Sequence, residues 1–395
     1  VQGDTPFRNG TEFQQNRKLS AIEDYDARRE EKGWLLDGFD DHSWSGACLS
    51  RINDEGWVMK PQVIPEGRIY EAIVPTRVGI QEKGLQVFDA GKIITGWPRI
   101  ELPGVKGTKV RMRYSEDMDG AGRVKHNVCN EKSDNYYDQY TMRGEGTEIW
   151  EPCFSYKAFR YVELTGYPEL VGPEDIKIIS AGTGLTYNGY FNSSNKLLND
   201  IYSACIQTQK NNVTGQMVDC PHREQAQYLA DSDLQAETFI YNFKESSVLE
   251  KVLLDFKDAQ FEDGRFPFVF PTNIDNPHFN IKIPEWDLHF VSLLWKVYYM
   301  YNNLDILRSC YQTAKKAVDY YLGSRDTTTG LVPKAEGFPI GWNISDWPYP
   351  NIDDTGKYLT VENCKLYNAT RRMSAMAAVI SLDDDAAQFD CQENP

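Results

Sequence analysis

Three carboxylates and an arginine lie within thirteen positions of this chain, from Asp219 to Asp231. If the segment after Pro221 is helical, Glu224 and Asp231 are seven residues apart and leave the same helix face, about 10 Å from each other along the axis. Carboxylates around an arginine, here Arg223, suit cleavage of a glycosidic bond, in which one carboxylic acid protonates the leaving oxygen. Acidic residues also collect at helix starts for the helix dipole alone, so spacing leaves both interpretations open.

The elements that must position these residues change in kind near residue 187. Before it, Lys109–Tyr114 and Arg160–Leu164 alternate with period two and are separated by glycine-rich turns, which predicts β-strands. After it, apolar residues recur with helical period, first over residues 197–206, where Ser194 is the predicted N-cap. Further helices are predicted near residues 225–242, 246–260, 287–301, 304–323 and 360–381, six helices in all.

The segment DCPHREQAQYLAD, residues 219–231, resembles the signature of the family 78 α-L-rhamnosidases. Its flanks agree with that family along nearly the whole chain: Phe191–Tyr202 resembles the opening helix of the catalytic domain, and the preceding β-domain is matched by Asp24–Arg28, Gly33 with Trp34, Val87–Gly91, Gly96 with Trp97, and Glu151–Val162. Two positions depart from the family pattern, since Tyr228 stands where tryptophan is usual and Ala230 precedes the final Asp231. These departures bear on sugar preference more than on reaction class.

The resemblance implies a multi-domain β plus α fold. We expect a partial β-sandwich domain over residues 1–62, a second β-sandwich domain over 63–186, and an incomplete (α/α)6 catalytic domain over 187–395, the first half of a toroid. The chain is then expected to be a fragment with little activity of its own. Leu197, Ile201, Met376 and Val379 would lack partners on the outermost helices.

For the site, the resemblance implies an inverting glycoside hydrolase acting on terminal α-L-rhamnose, with Glu224 as the general acid and no cofactor. Neighbouring carboxylates and partial burial should raise the pKa of Glu224. The other expected sugar contacts are Asp219, Arg223, Tyr228, Asp231, Trp286, Asp346 and Trp347. The general base of the family comes from a glutamate beyond the position where this chain stops. Glu285 or Asp346 could replace it only by facing Glu224 across the sugar.

Several other residues have a structural interpretation beside a functional one. Glu285 and Asp287 are either site acids or first-turn acids that stabilise a helix start. His278 and His289 are expected to be structural or exposed, because no partner spacing supports metal binding. Cys220 beside His222 could be a nucleophile with its base, but the family resemblance assigns it no chemistry.

Composition limits the partners. The net charge of −16 argues against nucleic acid, and no apolar run reaches the length of about 20 residues that a membrane helix needs. None of the eight cysteines has zinc spacing, so no metal is expected; Cys129 and Cys153 could pair in an oxidising compartment, although buried free thiols are the simpler interpretation. The expected partner is a rhamnose-containing glycan or glycoside. A periplasmic or secreted location is favoured over a cytoplasmic one.

Two other classes of function remain open. A carbohydrate-binding protein could keep the family fold without the complete catalytic machinery, and the tyrosine at position 228 supports that alternative. A polysaccharide lyase is less well supported, because β-elimination needs a tyrosine or histidine base facing a uronate and usually a basic cleft.

Overall fold

The structure is a computed structural model that describes residues 22–46, 60–125, 136–271, 283–335 and 356–391. The chain divides into two compact units. The first, here the β unit, contains the residues up to Gln62, Gly67–Gly182 and Pro221–Glu224; the second, the helical unit, contains Val63–Glu66, Thr183–Cys220 and Gln225–Pro395. Strands dominate the first and helices the second, so the fold is of the β plus α type that the sequence predicts.

Within the described residues, the β unit is built on one sheet of nine strands. Its strands are β1 (Asp24–Asp26), β2 (Gly67–Ile73), β3 (Thr76–Glu82), β4 (Leu85–Pro103), β5 (Lys109–Ser115), β6 (Tyr137–Thr141), β7 (Thr147–Trp150), β8 (Lys157–Thr165) and β9 (Ile176–Thr183). The main path runs β1-β6-β5-β8-β4-β9-β2, and β3 and β7 pair with β4. The predicted strands at 109–114 and 160–164 are confirmed as parts of β5 and β8.

The long strand β4 organises this sheet because it pairs with four others. It is antiparallel to β3, β7, β8 and β9. At Gly96 it lies opposite both Lys157 of β8 and Ser180 of β9. A Cβ atom on Gly96 would lie 1.8 Å from the carbonyl oxygen of Ile179, so only glycine lets the backbones approach this closely.

A fully buried ion pair lies inside the β unit. Lys157 Nζ is 3.1 Å from Asp138 Oδ2, and both side chains have no exposed surface. The Tyr114 hydroxyl donates to Asp138 Oδ2 at 2.7 Å, and the amide of Glu23 donates to Asp138 Oδ1 at 2.8 Å. These bonds compensate the cost of taking the carboxylate out of water.

Replacing Lys157 with methionine should destabilise the β unit by about 3 kcal/mol, because Asp138 would stay buried without its cation. Thermal unfolding of the two proteins measures the difference. Lys92→Met is the matched control, since Lys92 forms an exposed pair with Glu71 and its loss should cost less than about 1 kcal/mol. Equal losses in the two variants would contradict the assigned role of the buried pair.

The helical unit is a series of helices joined by loops. They are α1 (Lys196–Asn211), α2 (Leu229–Asn242), α3 (Ser246–Ala259), α4 (Pro284–Asp287), α5 (His289–Tyr301), α6 (Leu304–Gly323), α7 (Thr360–Val379) and α8 (Asp383–Cys391). Helix α5 packs against α2, α3, α6 and α7, and its residues 289–294 and Val297 are buried. Within the described part of the chain, no helix is both long and apolar enough to cross a membrane.

The six predicted helices are confirmed, with two corrections at their ends and one further helix. The N-cap of α1 is Asn195 rather than Ser194, because the Asn195 side chain accepts a hydrogen bond from the amide of Leu197. Helix α2 begins at Leu229 and not near 225. Residues 383–391 form a helix that apolar periodicity did not predict.

The predicted exposed faces are confirmed in part. Leu197 is 64% exposed, Ile201 50% and Val379 37%. Met376 was expected to be exposed and is fully buried, because α8 packs along α7 and places Phe389 in the same core.

Candidate functional site

Residues 219–228 of the motif form a closed loop, and helix α2 begins only at Leu229. The amide of Asp219 donates to the carbonyl of Ala226 at 3.0 Å, and the amide of Gln225 donates to the carbonyl of Cys220 at 3.0 Å. Gln225 adopts φ 50°, a left-handed conformation that a continuing helix does not allow. The expectation that Glu224 and Asp231 share one helix face is therefore wrong.

Residues 221–224 belong to the β unit and carry the proposed acid. Arg223 Nε lies 3.3 Å from Glu224 Oε1, with the two side chains 44% and 20% exposed. His222 is buried beside them. Its ring lies 4.4 Å from that of Tyr136, and its Nδ1 lies 3.4 Å from Glu116 Oε1. The histidine thus packs within the β unit, between Tyr136 and Glu116.

In the helical unit, two of the predicted sugar contacts lie together. The rings of Tyr228 and Trp286 meet edge to face with centroids 5.8 Å apart, and both pack against Phe268. Tyr228 also forms a β-bridge with Val269, and the amide of Leu229 donates to the carbonyl of Phe268. The loops before α2 and α4 therefore converge on one aromatic corner, defined here as Tyr228, Phe268 and Trp286.

Two of the three carboxylates of the motif, Asp219 and Asp231, flank the loop. Asp231 is partly buried and lies in the first turn of α2, where the helix dipole stabilises a negative charge. Asp219 is also partly buried, and its Oδ1 accepts from the amide of Ala226 at 3.3 Å. Its first structural role is to hold the loop closed.

Asp233 of α2 belongs to a buried network of charged groups. His289 Nδ1 lies 2.6 Å from Asp233 Oδ2, and Lys296 Nζ lies 3.0 Å from Asp233 Oδ1. Lys365 Nζ lies 3.0 Å from His289 Nε2. Burial alone would raise the pKa of Asp233, but the hydrogen bond from His289 and the charge of Lys296 hold it below its ordinary value. Of the two expectations for His289, structural or exposed, burial excludes the exposed one. Its partners come from α2 and α7, which local sequence does not reveal.

A second buried cluster contains three acids from two helices, Glu285 and Asp287 of α4 and Glu362 of α7. Asp287 accepts hydrogen bonds from the amide of Phe266 at 2.9 Å and from the Tyr321 hydroxyl at 2.5 Å. Burial nevertheless raises the pKa of Asp287 to about 7. Burial, followed by the charges of Glu285 and Asp287, raises the pKa of Glu362 to about 8. These acids are more deeply buried than first-turn residues that serve only a helix dipole.

The remaining candidates are placed as follows. Asp346, Trp347, His278 and Cys129 lie outside the described residues. Cys153 is a free thiol but exposed rather than buried. Across the described ranges, no group of three or more histidine, cysteine or acidic residues could hold a metal ion.

Two family models match the chain over most of its length. Residues 81–181 match the bacterial α-L-rhamnosidase concanavalin-like domain, and residues 186–394 match the bacterial α-L-rhamnosidase six-hairpin glycosidase domain. The second domain defines a glycoside hydrolase class built from helical hairpins. The chain belongs to the family 78 α-L-rhamnosidases.

Similar proteins are longer than this chain. An α-L-rhamnosidase of Streptomyces avermitilis is 30% identical over 331 residues, which cover 83% of this chain and 31% of the relative. One from Formosa agariphila is 27% identical over 349 residues, covering 83% and 34%. The chain thus spans about a third of the length of these curated relatives.

Two solved structures share the fold. The α-L-rhamnosidase from Dictyoglumus thermophilum aligns with a TM-score of 0.84 at 29% identity, covering 95% of this chain and 42% of that one. The Streptomyces avermitilis enzyme complexed with L-rhamnose aligns with a TM-score of 0.80 at 27% identity, covering 94% and 34%.

The raised pKa values predict how stability depends on pH. Because the folded-state pKa values of Asp287 and Glu362 exceed their ordinary values, their contribution is fully present below about pH 4 and is lost as pH rises through 7 and 8. Glu362→Gln removes one of these ionisations and keeps the shape. At pH 9 the variant should be more stable than the wild type by roughly 2–4 kcal/mol, whereas at pH 4 the two should agree.

Thermal unfolding midpoints between pH 4 and 9 measure this difference. Glu262→Gln serves as the matched control because Glu262 is exposed in the same unit, and its curve should follow the wild type. Parallel curves for wild type and Glu362→Gln would show that Glu362 does not hold a proton in the folded protein.

Proposed function

We propose that this chain carries the general acid and part of the sugar site of an inverting α-L-rhamnosidase. Its fold would comprise β-sandwich domains over residues 1–62 and 63–186, followed by the first half of an (α/α)6 toroid. The substrate would be a glycan or glycoside that ends in α-L-rhamnose, and no cofactor would take part. The protein would act in the periplasm or outside the cell.

The aromatic corner is the observation that supports this proposal most directly. Tyr228 precedes α2 and Trp286 lies on the short helix α4, yet their rings pack edge to face inside the domain that matches the six-hairpin glycosidases. Trp286 is only partly buried, so a ring face can remain open to a ligand. Flat aromatic faces suit the C–H surfaces of a sugar, and rhamnose, a deoxy sugar with a methyl group, has a large apolar face.

The polar residues of the motif complete the proposed roles. Glu224 donates a proton to the leaving oxygen, while Asp219, Arg223 and Asp231 hold sugar hydroxyls; Asp346 and Trp347 are further proposed contacts. Inversion requires a second carboxylate at roughly 6.5–9.5 Å, which activates water on the opposite face of the sugar. Glu285 is a poor substitute for that base because it is 7% exposed and lies beside two other buried acids.

The test is an assay on the natural protein that carries these residues, with the 395-residue chain alone measured in parallel. Release of rhamnose from an aryl α-L-rhamnoside, with β-L-rhamnose as the first product by NMR, supports an inverting hydrolase. An unsaturated product that absorbs in the ultraviolet would indicate a lyase. Binding of L-rhamnose without turnover in either protein would leave a carbohydrate-binding relative as the function.

Glu224→Gln should lower turnover at least about 100-fold on rhamnosides with poor leaving groups, because the leaving oxygen then departs unprotonated. Activated aryl rhamnosides should lose much less, since their leaving groups need little protonation. The ratio of the two losses in steady-state kinetics is the measurement. Equal losses on both substrates would assign Glu224 another role.

Trp286→Ala should weaken binding of L-rhamnose by roughly 1–3 kcal/mol, because the sugar loses its apolar wall. Trp286→Phe keeps a ring and should recover part of the affinity. Trp34→Ala removes a tryptophan from the other unit and serves as the control. Calorimetric titration measures all four proteins, and unchanged affinity in Trp286→Ala would remove this residue from the site.

A further inference from the structure

A buried network of three side chains, Asp233, His289 and Lys365, is explained neither by the motif nor by the proposed role of Glu224 as general acid. It joins three helices of the helical unit, with Asp233 on α2, His289 on α5 and Lys365 on α7. The side chains of His289 and Asp233 are 4% and 2% exposed. A buried polar network of this kind is stable only when every member is paired, and it then fixes one arrangement of the elements that it joins.

The contacts within the network indicate where its protons lie. Asp233 is ionised and accepts from His289 Nδ1, which therefore carries a hydrogen. Lys365 Nζ and His289 Nε2 lie 3.0 Å apart, and two N–H groups cannot face each other at that distance. One proton lies in that contact, so either the imidazole or the amine is neutral. Burial lowers the pKa of Lys365, which reduces the cost of sharing this proton.

Charged groups on the helices packed around this network also act on Asp233 and Lys365. Lys296 of α5 pairs with Asp233 at 3.0 Å and with Glu237 of α2 at 3.3 Å. The charges of Glu285 on α4 and Arg372 on α7 also act on Lys365, with opposite effects. His289 is 3% exposed and both of its ring nitrogens face protein groups, so its contacts are those of a residue that acts through its neighbours.

The buried network lies on the same helices as the residues next to the aromatic corner. Asp233 is on the same helix as Asp231 and follows Tyr228, the N-cap of α2; His289 follows the short helix α4 that carries Trp286. Helix α4 packs against α2, α5 and α7, so its placement depends on the spacing of these three helices. The buried network connects α2, α5 and α7 next to the rings of Tyr228 and Trp286.

We infer that His289 is a positioning residue: held between Asp233 and Lys365, it fixes the start of α5, and with it Trp286, against Tyr228 and Asp231. The inference rests on the proposed function only where it says that this corner binds the sugar. Its structural part concerns the orientation of Trp286 and can be measured without any ligand.

Two variants test the buried network at different residues. Lys365→Met removes the partly exposed end and leaves the Asp233–His289 bond in place, so the protein should fold. His289→Gln keeps an amide donor and acceptor but loses the rigid ring that spans the distance from Asp233 to Lys365. Lys357→Met is the matched control, since Lys357 forms an exposed pair with Asp326 in the same unit.

The first readout is the fluorine NMR spectrum of the chain labelled with 5-fluorotryptophan, in which Trp286→Phe identifies the Trp286 signal. Lys365→Met and His289→Gln should shift or broaden that signal, and Lys357→Met should not. The second readout is affinity for L-rhamnose, which should fall about tenfold in the two test variants, or about 1.4 kcal/mol. On aryl rhamnosides this appears as a higher KM with kcat changed less than about threefold.

The outcomes separate the inference from the proposed function. An unmoved Trp286 signal in both test variants would overturn the inference, even if rhamnose hydrolysis is established. A Trp286 signal that moves while rhamnose affinity and KM stay at wild-type values would overturn the link to the sugar site. If the wild type neither binds nor hydrolyses rhamnoside but the Trp286 signal moves, the positioning role stands and the proposed function fails.

Discussion

Neutralisation of buried charge near the starts of three helices is the constraint on which the helical unit depends. Asp233, Asp287 and Glu362 are each at most 3% exposed, and each would be very costly as an isolated anion. The structure solves this in three ways. Asp233 is paired with cations, Asp287 receives two hydrogen bonds, and Glu362 keeps its proton at neutral pH. The loops that carry the candidate site are attached to helices whose spacing these contacts set.

Apolar periodicity was sufficient to predict the long helices, because each buries one face in a common core. Leu249, Val252, Leu253 and Phe256 of α3, for example, are fully buried and recur at helical spacing. Helix α8 was missed because three consecutive aspartates open it and only Phe389 is buried. Alternation predicts the two strands at 109–114 and 160–164, whereas the pairing of β4 with four partners depends on contacts distant in sequence.

The candidate site was predictable as a set of residues, but not as a geometry. The motif contains the charged residues in one short segment, and the resemblance assigned their expected roles. Its conformation depends on the left-handed Gln225 and on the pairing of Asp219 with Ala226, which no residue spacing indicates. His289 is expected from sequence to be structural or exposed, and its partners Asp233 and Lys365 lie on other helices. A histidine inside an apolar helical run is the one local signal that could have suggested a buried polar contact.

The tyrosine at position 228 acquires a meaning from its surroundings. Tyr228 is 6% exposed, so little of its ring surface can contact a ligand, whereas Trp286 is only partly buried. The Tyr228 ring meets Trp286 edge to face and Phe268 at a tilt, which fixes the tryptophan from two sides. A side chain smaller than the tryptophan usual in the family can perform this supporting role as long as it keeps an aromatic edge. Under the proposed function, the substitution would change the shape behind the Trp286 ring and leave that ring in place, which would bear on which sugars fit rather than on whether the bond is cleaved.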